Sequence, residues 1–248
     1  MPGIIFSISE TISELESAKA LAGRFLENDE AVFPQLKMQL EGLRDEASRS
    51  DVAWGISRSQ ALRAIVSDGE YVSSGKGKAV LGTLSFRWEV RRVHPKKPKQ
   101  PAQYFQLVGI ASTTTRVFAV NGDGSQGEEL AMWRTEVGDD NSPGCHFHVQ
   151  IRGENDEGPF PKRLSVPRLP GYLATPMAAL EFMLAELFQE QWKRHVVAET
   201  EPLRRWRAIQ KRRFQKLLGW QTETVSMATQ SPWSVLKAAK PPEKLFVD

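Results

Sequence analysis

The chain has 248 residues, of which 40% are apolar and 25% charged, with a net charge of +3. This is the composition of a globular protein with a sizeable core, as one large domain or two small ones. A single cysteine, Cys145, excludes an internal disulfide framework and a multi-cysteine zinc site. No apolar run approaches the roughly 18 residues of a membrane span, and the N-terminus lacks the basic and apolar stretches of a signal peptide. A reducing, cytoplasmic location is therefore expected.

The first stretch reads as helix. Ser7 and Glu10 have capping-box spacing, and Ile8, Ile12, Leu15, Ala22, Phe25 and Leu26 follow at helical intervals. Asn28 and Asp29 break the run. Val32, Leu36, Leu40, Leu43 and Ala47 form a second stripe, with Pro34 placed in its first turn. The two make a helical hairpin able to dock on the body or on another subunit. Residues 49–66 read as a third helical piece capped by Ser57. Ser73 to Lys78 is a glycine-lysine loop without the spacing or the strand-helix context of a P-loop.

Residues 80–152 turn to the two-residue period of strands. Leu84, Phe86, Trp88 and Val90 alternate with Ser85, Arg87 and Glu89. A basic, proline-rich loop spans 91–101, and Asn121-Gly122-Asp123-Gly124 is a turn. Residues 132–137 form a further strand. The expected fold class is α+β: an antiparallel sheet of about five strands, roughly 80–152, packed by N-terminal and C-terminal helices. The expected regions are 1–72 (helical), 73–220 (sheet with C-terminal helices) and 221–248 (an extended tail).

The last strand carries the candidate chemistry. After the turn at 141–144, alternation puts His146, His148 and Gln150 on one, polar face, and Cys145, Phe147, Val149 and Ile151 on the apolar, core-facing one. Two imidazoles at this spacing can ligate one metal or bind one phosphate, or one can act as nucleophile or base while the other orients it. Glu128, Glu129, Glu136, Asp139, Asp140, Glu154, Asp156 and Glu157 gather nearby. Asp139 and Asp140, just ahead of the strand, are the preferred carboxylates for a divalent metal such as Mg²⁺ or Mn²⁺ held with His146 and His148.

The run His146-Phe147-His148-Val149-Gln150-Ile151 resembles the His-x-His-x-Gln signature of the nucleotidyltransferase branch of the histidine-triad superfamily. The resemblance implies that His148 is a nucleophile toward phosphorus and that Gln150 contacts the phosphate. It covers six residues, and it departs from the family, in which a helix leads into the histidine strand. Here residues 130–137 read as another strand. A cupin-type site also uses His-x-His on a strand, but Gly153 stands where its glutamate is expected.

A proline-rich crossing at 159–170 precedes a helix started by Thr175 and Pro176. Met177, Leu180, Leu184, Leu187, Phe188 and Trp192 give that helix a broad core stripe. A basic helix follows. Seven of the thirteen residues 204–216 are Lys or Arg and none is acidic. Arg204, Arg205, Arg207, Lys211, Arg212, Arg213 and Lys216 offer a positive face to nucleic acid or an acidic protein, while Leu203, Trp206, Phe214, Leu217 and Leu218 lie near one side. Two functions are therefore expected. The denser signal is a binding subunit of a larger intracellular assembly, touching nucleic acid or an acidic partner through this helix. Further contacts to like or unlike subunits would run through the N-terminal helices or the tail. The alternative is a phosphoryl-transfer or phosphodiester-cleaving enzyme using the His-x-His strand.

Overall fold

The structure, a computed structural model, describes residues 3–45, 51–67, 79–93, 101–109, 111–138, 145–151 and 169–247. Among them the chain is α+β, with a single antiparallel sheet that is larger than the five strands expected. Its nine strands are β1 (Ile5–Ser7), β2 (Val52–Ile56), β3 (Leu62–Arg63), β4 (Val80–Val93), β5 (Tyr104–Leu107), β6 (Ala111–Val120), β7 (Gln126–Val137), β8 (Phe147–Ile151) and β9 (Leu169–Pro170). The helices are α1 (Ile8–Ala22), α2 (Asp29–Asp45), α3 (Pro176–Val196), α4 (Glu201–Ser226) and α5 (Pro232–Ala238).

β4 is the spine. β6 pairs along its first half and β5 along its second, on one edge, while β3 and β2 take the opposite edge. The order then runs outward through β6, β7, β8 and β9, and β1 extends the far side through β5. Leu84, Phe86, Trp88 and Val90 are buried against the helices, as their alternation requires. α3 crosses β4 and β6 on this face. Gly82 makes the crossing close: a Cβ there would stand 2.6 Å from Leu187 and 2.9 Å from Met183. α3 bends at Gln189 (φ 33°), and the Ser67 hydroxyl donates to the Leu187 carbonyl beside the bend at 2.6 Å.

The N-terminal hairpin forms as its stripes demand. Ser7 caps α1 by accepting from the Glu10 N–H at 3.3 Å, and Pro34 sits inside α2, one turn beyond the first. Residues 49–66 do not form the expected helix: where described they give β2, β3 and one 3-10 turn at Arg58–Gln60, with Ser57 at its N-cap but no side-chain capping bond. Val52, Trp54 and Ile56 also alternate at period two, and Trp54 pairs with Trp88 across to β4. Gly55 has φ 155°, and its missing Cβ would lie 2.1 Å from the Phe86 carbonyl oxygen, so the strand needs glycine there. Nor is the tail simply extended. α4 runs on to Ser226, α5 follows, and Leu245 and Phe246 are buried. The Ile5 N–H donates to the Glu243 carbonyl at 2.8 Å, and Phe246 packs on Phe6 at 5.3 Å. No helix in the described residues is long and apolar enough to cross a membrane. Of the basic loop expected at 91–101, Arg91 to Val93 belong instead to β4 and pair with β5; its residues 94–100, the glycine-lysine loop at 73–78, Asp139, Asp140 and the proline-rich crossing up to 168 lie outside the described residues.

α4 lies against α1 through a buried ion cluster. Arg213, 2% exposed, meets Glu14 Oε2 at 2.6 Å and Glu10 Oε1 at 3.0 Å. Arg212 pairs with the other Glu10 oxygen. Glu14 Oε1 accepts from the Thr175 hydroxyl at 2.6 Å and from Gln210 at 2.7 Å. Removing one member of such a pair strands a buried charge. Arg213→Met is therefore expected to lower stability by about 3–5 kcal/mol. Adding Glu14→Gln to it should recover part of the loss, and urea unfolding of the two variants checks both expectations.

Candidate functional site

The histidine strand is less open than its alternation suggests. β8 pairs with β7 so that His148 stands opposite Glu136 and Gln150 opposite Arg134. His148 and Gln150 are each only 1% exposed. Nδ1 of His148 lies 2.8 Å from the Cys145 carbonyl oxygen, and Nε2 lies 2.9 Å from Glu136 Oε2. Gln150 Nε2 donates to the same carboxylate oxygen at 3.2 Å, and Arg134 Nη1 donates to Glu136 Oε1 at 3.3 Å. Both imidazole nitrogens thus face oxygen acceptors. Glu136 is the carboxylate that His148, Gln150 and Arg134 all meet. Burial works against that carboxylate, but the hydrogen bond and charge of His148, with Arg134 behind it, hold Glu136 below the usual carboxylate range.

This geometry corrects the expected faces. The polar side of β8 is buried, and Glu136 of β7 meets both His148 Nε2 and Gln150 Nε2, while His148 Nδ1 faces the Cys145 carbonyl and Gln150 Oε1 has no hydrogen-bond partner. Of the set expected to face the core, Phe147 and Cys145 do so, Val149 does in part, and Ile151 is 55% exposed. His146 precedes the first residue of β8 in a bend, its carbonyl accepts from the Gly138 N–H at 2.7 Å, and its ring stands edge-on to Phe147 at 5.6 Å. The contact from Nδ1 to a carbonyl would leave Nε2 as the reactive atom of a histidine nucleophile, and Glu136 stands at that nitrogen. Among the described residues, no group of three or more His, Cys, Asp or Glu side chains is placed to hold a metal ion. The strand β7 occupies the place of the helix that leads into the histidine strand in the nucleotidyltransferase branch. Glu136 stood in the acidic group of the sequence but not among its preferred ligands. Its alternation with Arg134 along residues 132–137 was the signal that placed it on this face.

α4 distributes its seven cations unequally. Arg213 points into the protein, against α1. Arg212 is half-buried on that flank with Glu10, and Lys216 is half-buried. Arg204 and Arg205 pair with Glu201 at 3.3 and 3.4 Å, and Arg207 pairs with Glu199 at 2.9 Å. These carboxylates are well exposed, and such surface pairs contribute only about 0–1 kcal/mol, so they leave the guanidiniums able to exchange partners. Arg204, Arg207, Lys211, Phe214 and Leu218 fall at alternating spacings of three and four, and all five are exposed. They form one stripe down α4, with Leu203, Trp206, Ile209, Arg213 and Leu217 on the buried side.

Two members of this stripe, Lys211 and Phe214, line a cleft between α3 and α4 with a volume of about 440 Å³. Its lining includes Leu173, Ala178, Ala185, Trp192, Gln210 and Lys211. Tyr172, Phe182 and Phe214 stand at it, 48%, 41% and 47% exposed. Glu181 also lines it, and burial, with the nearby Glu14 charge adding to it, pushes this carboxyl above its ordinary range. Neither Tyr172 nor Phe182 stood out in the sequence as a surface group: Phe182 lies within the apolar run of α3, and Tyr172 lies just ahead of that helix. No protein-family model matches this chain, and neither the curated proteins nor the solved structures yield a match.

Glu136 sets a testable pH dependence. Its folded-state pKa is depressed, so its contribution to stability is present above the unfolded value, about 4.3, and is lost as pH falls through the folded one. Glu136→Gln is expected to lower stability at neutral pH and to flatten the acid limb of the stability curve. Chemical denaturation across pH 2–7 (roughly the span in which carboxylates titrate) reads both effects.

Proposed function

We propose that this protein is a binding subunit that receives an acidic, amphipathic segment of another protein in the cleft between α3 and α4. The reading rests on the exposed stripe Arg204, Arg207, Lys211, Phe214 and Leu218, in which three cations lead into two apolar side chains beside an aromatic-edged cleft. An amphipathic helix laid in a groove is anchored by apolar side chains at spacings of three and four, and acidic residues on its flank answer the cations. Eight of the twelve cleft residues are apolar or aromatic and one is the carboxylic acid Glu181. Nucleic-acid interfaces are more polar and more uniformly positive than this, which favours the protein partner. Steering by the cations would speed the encounter, while the aromatic groups would hold the docked segment.

Photo-crosslinking tests the reading. With a photoreactive amino acid in place of Phe214 or Phe182 in the native host, adducts should form that protease removes and nuclease does not. The triple change Arg204→Glu, Arg207→Glu and Lys211→Glu should reduce them by about tenfold or more, as for the loss of 1.4 kcal/mol or more. Nuclease-sensitive adducts would sink the protein reading. So would adducts no more abundant than those from a probe at Met38, an exposed position on α2.

A further inference from the structure

α3 brings one carboxyl group into the α3–α4 cleft. Ala178, Glu181 and Ala185 follow at spacings of three and four, so they share a face of the helix, and all three line the cleft. An alanine one turn away on either side leaves the Glu181 carboxyl uncovered along its own helix. Glu181 is half-buried, and among the described residues no Lys or Arg lies within ion-pair distance of it.

The other charges on the inner side of the cleft are matched. Arg213 is taken by Glu10 and Glu14, and Arg212 by Glu10, so two guanidiniums answer two carboxylates. Gln210 donates to Glu14 Oε1 at 2.7 Å. Lys211 lines the cleft too, but it is exposed and stands beyond ion-pair distance of Glu181. Glu181 is therefore the surplus group. Burial and the Glu14 charge both disfavour its ionised form, and a cation set beside it would relieve both.

The aromatic groups suit such a cation. Tyr172 and Phe214 stand edge-on with ring centroids 6.1 Å apart, one ahead of α3 and the other on α4. Phe182 follows Glu181 directly and is edge-on to Trp133 at 5.9 Å. All three rings keep much of their surface exposed. Ring faces attract ammonium and guanidinium groups, and apolar walls accept the methylene stems that carry them.

Taking the cleft as the docking groove proposed above, we infer that Glu181 determines its specificity by receiving one lysine or arginine side chain of the docked segment. The cation meets the carboxylate, and the stem lies against Tyr172, Phe182 and Phe214. The segment then carries acidic residues on the flank that answers Arg204 and Arg207, and a single basic residue turned inward. An uncharged side chain of the same length would close the groove over an unanswered Glu181, so the groove discriminates by charge as well as by shape.

NMR titration of the full chain, with its alanine methyl groups isotopically labelled, tests the inference. The probes are the N-acetyl methylamides of lysine, arginine and norleucine, the last having the lysine stem without its ammonium. The lysine or arginine probe should shift the Ala178 and Ala185 methyl signals saturably, and the tighter of the two assigns the side chain. The norleucine probe should bind about tenfold more weakly, the scale of one charge-assisted contact, and Glu181→Gln should abolish that preference. Three outcomes overturn the inference: no saturable shift with either cation, norleucine binding as tightly as the cations, or a Glu181→Gln protein that keeps the preference. The norleucine comparison uses the wild-type chain, so it decides even if Glu181→Gln misfolds. None of these titrations involves the native partner, so their failure is distinct from a failure of the crosslinking.

Discussion

A charged guanidinium in the interior constrains most of the helical layer. Arg213, 2% exposed, is met by Glu10 and Glu14 from successive turns of α1, so its buried charge is answered on the spot. Glu14 is held in turn by Thr175, the residue that caps α3 by accepting from the Ala178 N–H. Three helices therefore converge on one carboxylate. Buried charge pairs are weak evidence for stability, since desolvation offsets much of the attraction, but they tolerate little misalignment. The rotation of α4 about its axis is set here. With Arg213 inward, Arg204, Arg207 and Lys211 must lie on the outer flank, and the gap between α3 and α4 follows.

The sheet handles its polar face with the same economy. An antiparallel sheet commonly packs one face and leaves the other to water. On this one, the β8 end is buried although its residues are polar. His148, Gln150 and Arg134 all meet Glu136 across two strands, and the bulky groups behind them, Phe147 and Val137, belong to the core. A histidine saturated on both nitrogens is a structural linker first. A phosphorus centre could reach it only after Cys145 or Glu136 let go.

Much of this was legible in the chain. The Ser7 and Thr175 caps, the stripes of α1, α2 and α3, and the alternation of β4 all act locally, and each appears in the structure. What escaped depends on contacts distant in sequence. Residues 52–56 carry both helical and strand-like spacings, and β4, about thirty residues on, decides between them. Arg213 looked like one more surface cation, because the carboxylates that draw it inward lie on a helix some two hundred residues earlier. His148 shares a spacing with His146, but the pairing register of β7, invisible to spacing, determines which acid it meets. Arg63, Arg116 and Arg134 lie on three strands far apart in sequence, and only strand register puts them on one face.

The edge of β1 has a further consequence. Its outward-facing Ile5 N–H is taken by Glu243, and Phe6 is covered by Phe246, so one open border of the sheet is sealed by residues from the far end of the sequence. During synthesis that border stays bare until the sealing residues leave the ribosome, and closing so long a loop is slow. A nascent chain is thus open to strand addition by its neighbours until residues 243–246 have been made and have folded back onto β1.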